Sequence, residues 1–478
     1  MNAGHSRVRL VQAGAVIVAV AMVAGCGNNY RPVVTPINSN GPAAQPSSYA
    51  VVVSAPSPTL PGIVTVIDYS GDTVLAEAPI GPGPSAFTID ETGSEGYTLN
   101  SDGTISNFPI SSQLQFKQVS FSTLSSVAKP INFFSPSAAL WAADLNGNVA
   151  DVFQSVPESF KLAIPVTANP VTILGPSIVG QRDFVISQGT ISSGVACNIS
   201  PTTGPIGSAT PIETGSFTVS GNIPVGRCPV YAVQSTDNRR LYVLNRGDDT
   251  ITVINSQDNT LNSCTPFVSQ SGQTVTCHPS LKVNPAPGLS HAGPVYAEYN
   301  AMTNQLVVAN YDGNSISVID VSLDEYGNDS STFGTTYTIP VGNNPASVTV
   351  LADGSRAYTA NQTDGTVSIV NLSSHTVEKA ALPVIGHPRT VVSTQNSSYG
   401  KVYVASPDSP YLTILRTDLD IVDTTILVEG NVVDVRVTTQ NASSGNTNTV
   451  SRVPGYGQPC YLPGGTAQAT LAACQTLP

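Results

Sequence analysis

Charge is what this sequence has least of. Asp, Glu, Lys and Arg together make up 10% of its 478 residues, against roughly a quarter in an average soluble protein. Basic residues are the scarcer kind, 19 against 31, and the net charge is −12. A nucleic-acid partner, which wants a basic patch, is therefore excluded. Tryptophan occurs once, at Trp141, so repeated indole positions stacking on a redox cofactor are not available. There is no C-x-x-C pair and no C-x-x-C-H, which removes the common zinc and c-type haem signatures. Beyond the first residues histidine is limited to His278, His291, His375 and His387. No G-x-S-x-G elbow, P-loop or dinucleotide-binding glycine fingerprint occurs. No catalytic residue, metal ligand or cofactor is assigned on these grounds. What is plentiful is Gly (40) and Pro (37), which interrupt the chain too often for long helices. With 40% hydrophobic residues there is still enough apolar surface for a core, which argues against disorder.

The two ends read differently from the middle. Arg7 and Arg9 precede an almost wholly apolar run from Leu10 to Val23, too short to cross a hydrocarbon layer of about 30 Å comfortably and of the length of a signal-peptide core. Its end, Val23-Ala24-Gly25-Cys26, resembles the lipobox of bacterial lipoproteins. The resemblance implies a signal peptide over residues 1–25 and lipid attachment at Cys26. Gly27 stands where many Gram-negative lipoproteins retained at the inner membrane have Asp, so an outer-membrane location is expected in a Gram-negative cell. Residues 26–48 are rich in Asn, Pro and Ser and read as a tether. Residues 439–478 read as a loose tail.

Six cysteines remain after Cys26, and they allow fifteen pairings. Short loops close most easily, which favours Cys264 with Cys277 and Cys460 with Cys474 and leaves Cys197 with Cys228.

Residues 49–438 repeat themselves. Pro229-Val-Tyr-Ala-Val, Arg240-Leu-Tyr-Val-Leu-Asn245 and Thr250-Ile-Thr-Val-Ile-Asn255 recur from Pro294, Pro345 and Pro388, with weaker copies from Pro84, Pro130 and Pro170. Each unit holds short β-branched and aromatic runs separated by Asn, Asp and Gly turns, as at Asp312-Gly313 and Asp364-Gly365. The pattern predicts an all-β chain, a β-propeller of four-stranded antiparallel blades. Seven Pro-led units plus one blade shared by Tyr49–Ile80 and Val432–Val437 make eight, with seven as the alternative if one weak unit is an insertion. Such sharing closes the ring, since neither end can peel away alone.

The second and third strands of each unit, as in Leu241-Tyr-Val-Leu-Asn245 and Thr250-Ile-Thr-Val-Ile-Asn255, resemble the YVTN β-propeller repeat of bacterial exported and surface-layer proteins. They are similar, more distantly, to the lactonase propellers. Departures occur at Val307, where Tyr is usual, and at Ser406, where Asn is usual.

Loops that enter the first strand of each blade gather at one mouth of a propeller channel. Candidate binding residues there are Lys129, Asn169, Arg227, Glu298, Asn344, His387 and Arg389. Arg227, His387 and Arg389 form a local basic group suited either to a carboxylate or phosphate or simply to solvation. The repeated Asn100, Asn245, Asn310 and Asn361 suggest a turn role, because Asn tolerates left-handed backbone and bonds its own turn. Asp144-Leu-Asn-Gly-Asn148 is similar to half a calcium loop, but Ser155 stands where a bidentate acid is required. The insertion Asn262–Gly293, with His278 and His291, either carries recognition or shields an edge.

These observations lead to an exported, lipid-anchored, monomeric propeller that binds an envelope protein or glycan and is not an enzyme. The alternatives are a lactonase-like hydrolase of small esters working at the channel mouth through Glu298, His387 and Arg389, and an accessory to periplasmic electron transfer.

Overall fold

The computed structural model describes residues 48–438 apart from 69, 91–92, 124–129, 135–138, 146, 156–157, 176–181, 191–205, 269–271, 273 and 395–399, together with 460–462 and 466–468. Among the described residues there is no α-helix, only one short 3-10 turn at Phe116–Gln118. None is long and apolar enough to cross a membrane.

The chain forms an eight-bladed β-propeller of four-stranded antiparallel blades. Blade 1 is made, from the axis outward, of Asn431–Val437, Tyr49–Ala55, Pro61–Asp68 and Thr73–Pro82. Blades 2 to 8 follow in chain order. Their inner strands are Ala86–Ile89, Pro130–Phe134, Pro170–Leu174, Pro229–Gln234, Pro294–Asn300, Pro345–Val350 and Thr390–Ser393. Each inner strand packs beside the next, and Asn431–Val437 touches both Thr390–Ser393 and Ala86–Ile89, so the ring is closed. The weaker repeats from Pro84, Pro130 and Pro170 are therefore complete blades, and the count is eight rather than seven.

Burial follows from the radial packing. Second and third strands lie between two neighbouring blades, so Arg240–Asn245 and Gln305–Asn310 are buried along nearly their whole length. Outer strands face solvent on one side, and Thr376–Pro383 accordingly alternates between half-buried and exposed positions over most of its length. The apolar clusters form between blades. The largest joins blades 4 to 7, where Tyr231 packs on Tyr296 with ring centroids 4.7 Å apart and Tyr242 on Tyr299 at 6.5 Å.

In blade 5 the fourth strand is split into Thr260–Leu261 and Ser280–Lys282, both paired with Thr250–Asn255. The insertion between them is clipped by a Cys264–Cys277 disulfide, as the short spacing predicts. Cys228 is also disulfide-bonded. Its expected partner Cys197 lies outside the described residues, as do Cys26, Cys474, the signal, residues 26–47 and most of the tail. Cys460 opens a short strand paired with Thr466–Gln468.

Closure rests on an antiparallel pairing of Ala50 with Val437 through Ala55 with Asn431, bulged at Val53/Ser54. Side chains lock its two ends. Thr438 Oγ1 accepts from the Tyr49 N–H at 2.8 Å, and the Ser54 hydroxyl donates to the Glu429 carbonyl at 2.7 Å. A chain ending at residue 430 is expected to unfold at a lower temperature and less cooperatively, because blade 1 then lacks its inner strand. Calorimetry checks this, and an unchanged transition would contradict the closure.

Candidate functional site

At the mouth the chain has to turn sharply into each inner strand. The residue just before the strand's leading proline is left-handed in five blades, with φ of 50° at Gly83, 57° at Asn169, 50° at Cys228, 58° at Gly293 and 53° at Asn344. Gly adopts this conformation freely and Asn at small cost. The mixed identities at these positions thus reflect a shared backbone requirement.

A second repeated device holds the same turns. The hairpin joining the second and third strands of a blade carries an Asp that accepts backbone N–H groups from the entry turn. Asp248 accepts from Arg227, Asp364 from Asn343 at 2.6 Å and Asp408 from His387 at 2.8 Å. Asp249 reaches the next blade and accepts from Ala292 and Gly293 at 2.9 and 2.8 Å. Arg246 and Asp312 tie blades 5 and 6 by a bidentate pair at 2.8 and 2.7 Å.

The mouth candidates read from sequence fall into this framework. Arg227 lies 3.7 Å from Asp248, with about a third of its side chain exposed. Asn169 and Asn344 use their amides on the main chain, donating to Gly189 O at 2.6 Å and Tyr311 O at 3.1 Å. Lys129 lies outside the described residues. His387 Nδ1 sits 2.6 Å from Asp408 Oδ2, with the histidine side chain 29% exposed and the aspartate 5%. His291 makes a looser pair with Asp249 at 3.3 Å. Proline entry, hairpin acid and half-exposed imidazole together place two His–Asp pairs at the mouth. In each, the carboxylate faces Nδ1 and thereby orients the ring.

Glu298 and Arg389 do different work. Glu298 is four residues into its strand, about 13 Å from Pro294, and is wholly buried. Its carboxylate accepts from the Val350 N–H of blade 7 at 2.9 Å. Arg389 donates to the Val433 carbonyl of blade 1. Burial lowers its pKa, with Arg436 adding to the effect and Asp434 opposing it. Similar ties run from Gln188 to Pro229 O, from Ser347 to the Arg389 carbonyl and from Arg436 to Phe87 O. Inner strands are hydrogen-bonded on one edge only, and at five of the eight junctions these side chains satisfy groups on the other. In the seven blades where inner-strand side chains are described, nearly every one is buried. The accessible polar groups of this end are those of the mouth.

The remaining histidines are elsewhere. His278 Nδ1 lies 3.0 Å from Asp329, a buried carboxylate that also receives Arg240 and Asn262, so it helps pin the insertion to a loop of blade 6. His375 stacks on Tyr337. A cavity of about 170 Å³ beside Asp237, Arg239, Tyr299 and Asp324 lies at the opposite end of blades 5 and 6. Among the described residues no three metal-ligating side chains gather.

The repeated Asn has a structural role, by another mechanism than expected. None of Asn100, Asn245, Asn310 and Asn361 has a positive φ. Each amide instead donates to two hydroxyls of the third strand, as Asn361 does to Thr366 at 3.0 Å and Ser368 at 2.8 Å. A glycine lies under three of them. A Cβ on Gly81, Gly226 or Gly342 would come within 2.1 to 2.6 Å of the amide, which accounts for the Gly three residues before Pro84, Pro229 and Pro345.

No protein-family profile matches the chain, and no curated protein sequence does. Solved structures do. The chain is similar to AztD from Citrobacter koseri at a TM-score of 0.54 and 13% identity, over 82% of this chain and 97% of that one. It is similar to the dihydro-haem d1 dehydrogenase NirN in complex with DHE, at 0.55 and 14%, over 85% and 77%. A 6-phosphogluconolactonase candidate from Bacteroides fragilis matches at 0.51 and 16%, over 83% and 99%. At such identities the shared property is the propeller fold, which hosts unrelated functions.

Replacing Asn361 by Ala is expected to cost about 1–3 kcal/mol of stability in denaturant titration, because the buried Ser368 hydroxyl and the half-buried Thr366 hydroxyl lose their donor. A variant as stable as the parent would contradict the structural role.

Proposed function

We propose that this protein is an exported, lipid-anchored propeller of the YVTN-repeat type that binds an envelope protein or a glycan at the channel mouth and catalyses no reaction. The observation that carries this reading is the contrast between inner strands that are buried in the seven blades where their side chains are described and a rim of partly exposed polar pairs at Arg227–Asp248, His291–Asp249 and His387–Asp408. Arg227, His291 and His387 each already face a carboxylate, so the described rim offers oriented hydrogen-bonding groups with little net positive charge. That suits hydroxyl and amide groups better than a free phosphate or carboxylate. The lipobox-like Cys26 would hold the chain at the membrane, outer in a Gram-negative cell. Residues 26–48 would tether the propeller, which acts as a monomer, at roughly 25 Å if coiled.

A second reading is supported by the His387–Asp408 pair. An imidazole oriented through Nδ1 is the base of many hydrolases, and a lactonase-like activity would use it. Two experiments separate the readings. Purified protein is screened on a glycan array and on envelope extracts, then Arg227→Ala and His387→Ala are compared with the parent for both binding and melting temperature. Loss of binding at unchanged melting temperature is expected. Turnover of a lactone or ester panel that disappears in His387→Ala would overturn the binding reading. Cys26→Ser is expected to abolish labelling by a fatty-acid analogue in a bacterial host and to release the protein into the soluble fraction. Undiminished labelling would refute the anchor.

A further inference from the structure

Blade 3 departs from its neighbours at one internal position. In blades 5, 6 and 7 the Asn ending the second strand donates to a hydroxyl seven residues on, Thr252, Ser317 or Ser368, at 2.8 to 2.9 Å. In blade 2 the partner is Ser106, at 2.8 Å. Blade 3 has Asp144 where the others have the amide and Asp151 where they have the hydroxyl. Its register is the same: Asp144 lies opposite Val149 and Asp151 opposite Ala142, as Asn310 lies opposite Ser315 and Ser317 opposite Val308. A donor facing an acceptor has become two carboxyl groups.

Both residues are fully buried. Asp144 Oδ1 accepts from the Gly147 N–H at 3.0 Å, whereas neither oxygen of Asp151 has a hydrogen-bond partner. The face that carries the pair packs on blade 2 through Leu140, Ala142 and Phe153, and the one titratable side chain in that cluster is Tyr97. On the outer strand Lys161 is held over the Phe217 ring. Among the described residues, the charged group that acts on Asp151 is Asp144. Two ionised carboxylates in a dry sheet, with no donor between them, would repel and leave buried lone pairs unmet.

We propose that Asp151 keeps its proton through the mildly acidic range and donates it to Asp144, forming a pH-sensitive latch between the second and third strands of blade 3. The O–H···O contact takes the place of the amide-to-hydroxyl bond of the other blades, and losing the proton opens it. Burial, with the Asp144 charge adding to it, pushes Asp151 up to about 7. Between the ordinary carboxylate range and that value the folded chain holds a proton the unfolded chain has released. The latch is therefore strongest in acid, weakens as pH rises toward neutrality and contributes nothing further above it.

The test compares the full chain with Asp151→Asn, an isostere of the protonated acid, and with Asp144→Asn/Asp151→Ser, which restores the pattern of blades 6 and 7. Melting temperature is read at about pH 5 and about pH 8, spanning the titration, in chelator and with millimolar calcium or magnesium. The parent is expected to lose several degrees more than Asp151→Asn over that interval, and the double variant to track Asp151→Asn. Infrared spectra near neutral pH should show a protonated carboxyl band in the parent that Asp151→Asn lacks. Three results would overturn the proposal. They are parallel falls in all three proteins, a parent stabilised at the higher pH by a divalent cation that has no effect on Asp151→Asn, and an Asp151→Asn chain that does not fold.

Discussion

Every inner strand of this propeller is hydrogen-bonded along one edge and bare along the other, and the ring can exist only if the bare edge is met. At five of the eight blade junctions the neighbouring blade meets it with described side chains: Gln188 on Pro229, Glu298 on Val350, Ser347 on Arg389 and Val391, Arg389 on Val433 and Arg436 on Phe87. Unsatisfied backbone groups in a buried channel would each cost on the order of 1–3 kcal/mol. Glu298, Arg389 and Arg436, the charged side chains that make these bonds, are therefore spent on cohesion between blades. The same constraint explains why closure by Asn431–Val437 matters: that strand both receives a tie from blade 8 and sends one to blade 2.

The mouth is held by a different device. There the entry turns and the hairpin acids form a second seam, built from Asp248, Asp249, Asp364 and Asp408. It fixes backbone and side chains at once, since Asp408 accepts from the His387 N–H and also faces its ring. A rim organised this way presents oriented polar groups on a rigid support, the arrangement a binding surface needs to limit the entropy lost on association.

Much of this architecture was legible because it repeats. The proline-led period, the four runs per unit, the N- and C-terminal halves of one blade and the Cys264–Cys277 clip all leave local signals. The mouth was harder to read, because its chemistry depends on which loops converge. Asp408 and Asp364 follow the end of the second strand by two or three residues, as Asp312 follows Asn310, so the acid was a visible repeat whose partner was not. Glu298 and Arg389 looked like ligand-binding charges because sequence cannot show that an inner strand has an unpaired edge facing them. The Asn of the second strand was assigned to a turn on its residue preference, whereas packing places its amide over Gly226 or Gly342 and between two hydroxyls.

The claim on which this account turns is that the buried charges of the channel hold blades together and leave the mouth to bind. Equilibrium unfolding of Glu298→Ala, with a binding assay on the same preparation, tests it most directly. The account predicts a loss of about 1–3 kcal/mol, as expected when the Val350 N–H loses its acceptor, with mouth binding retained in the folded fraction. Unchanged stability together with lost binding would place Glu298 in a ligand site and contradict it.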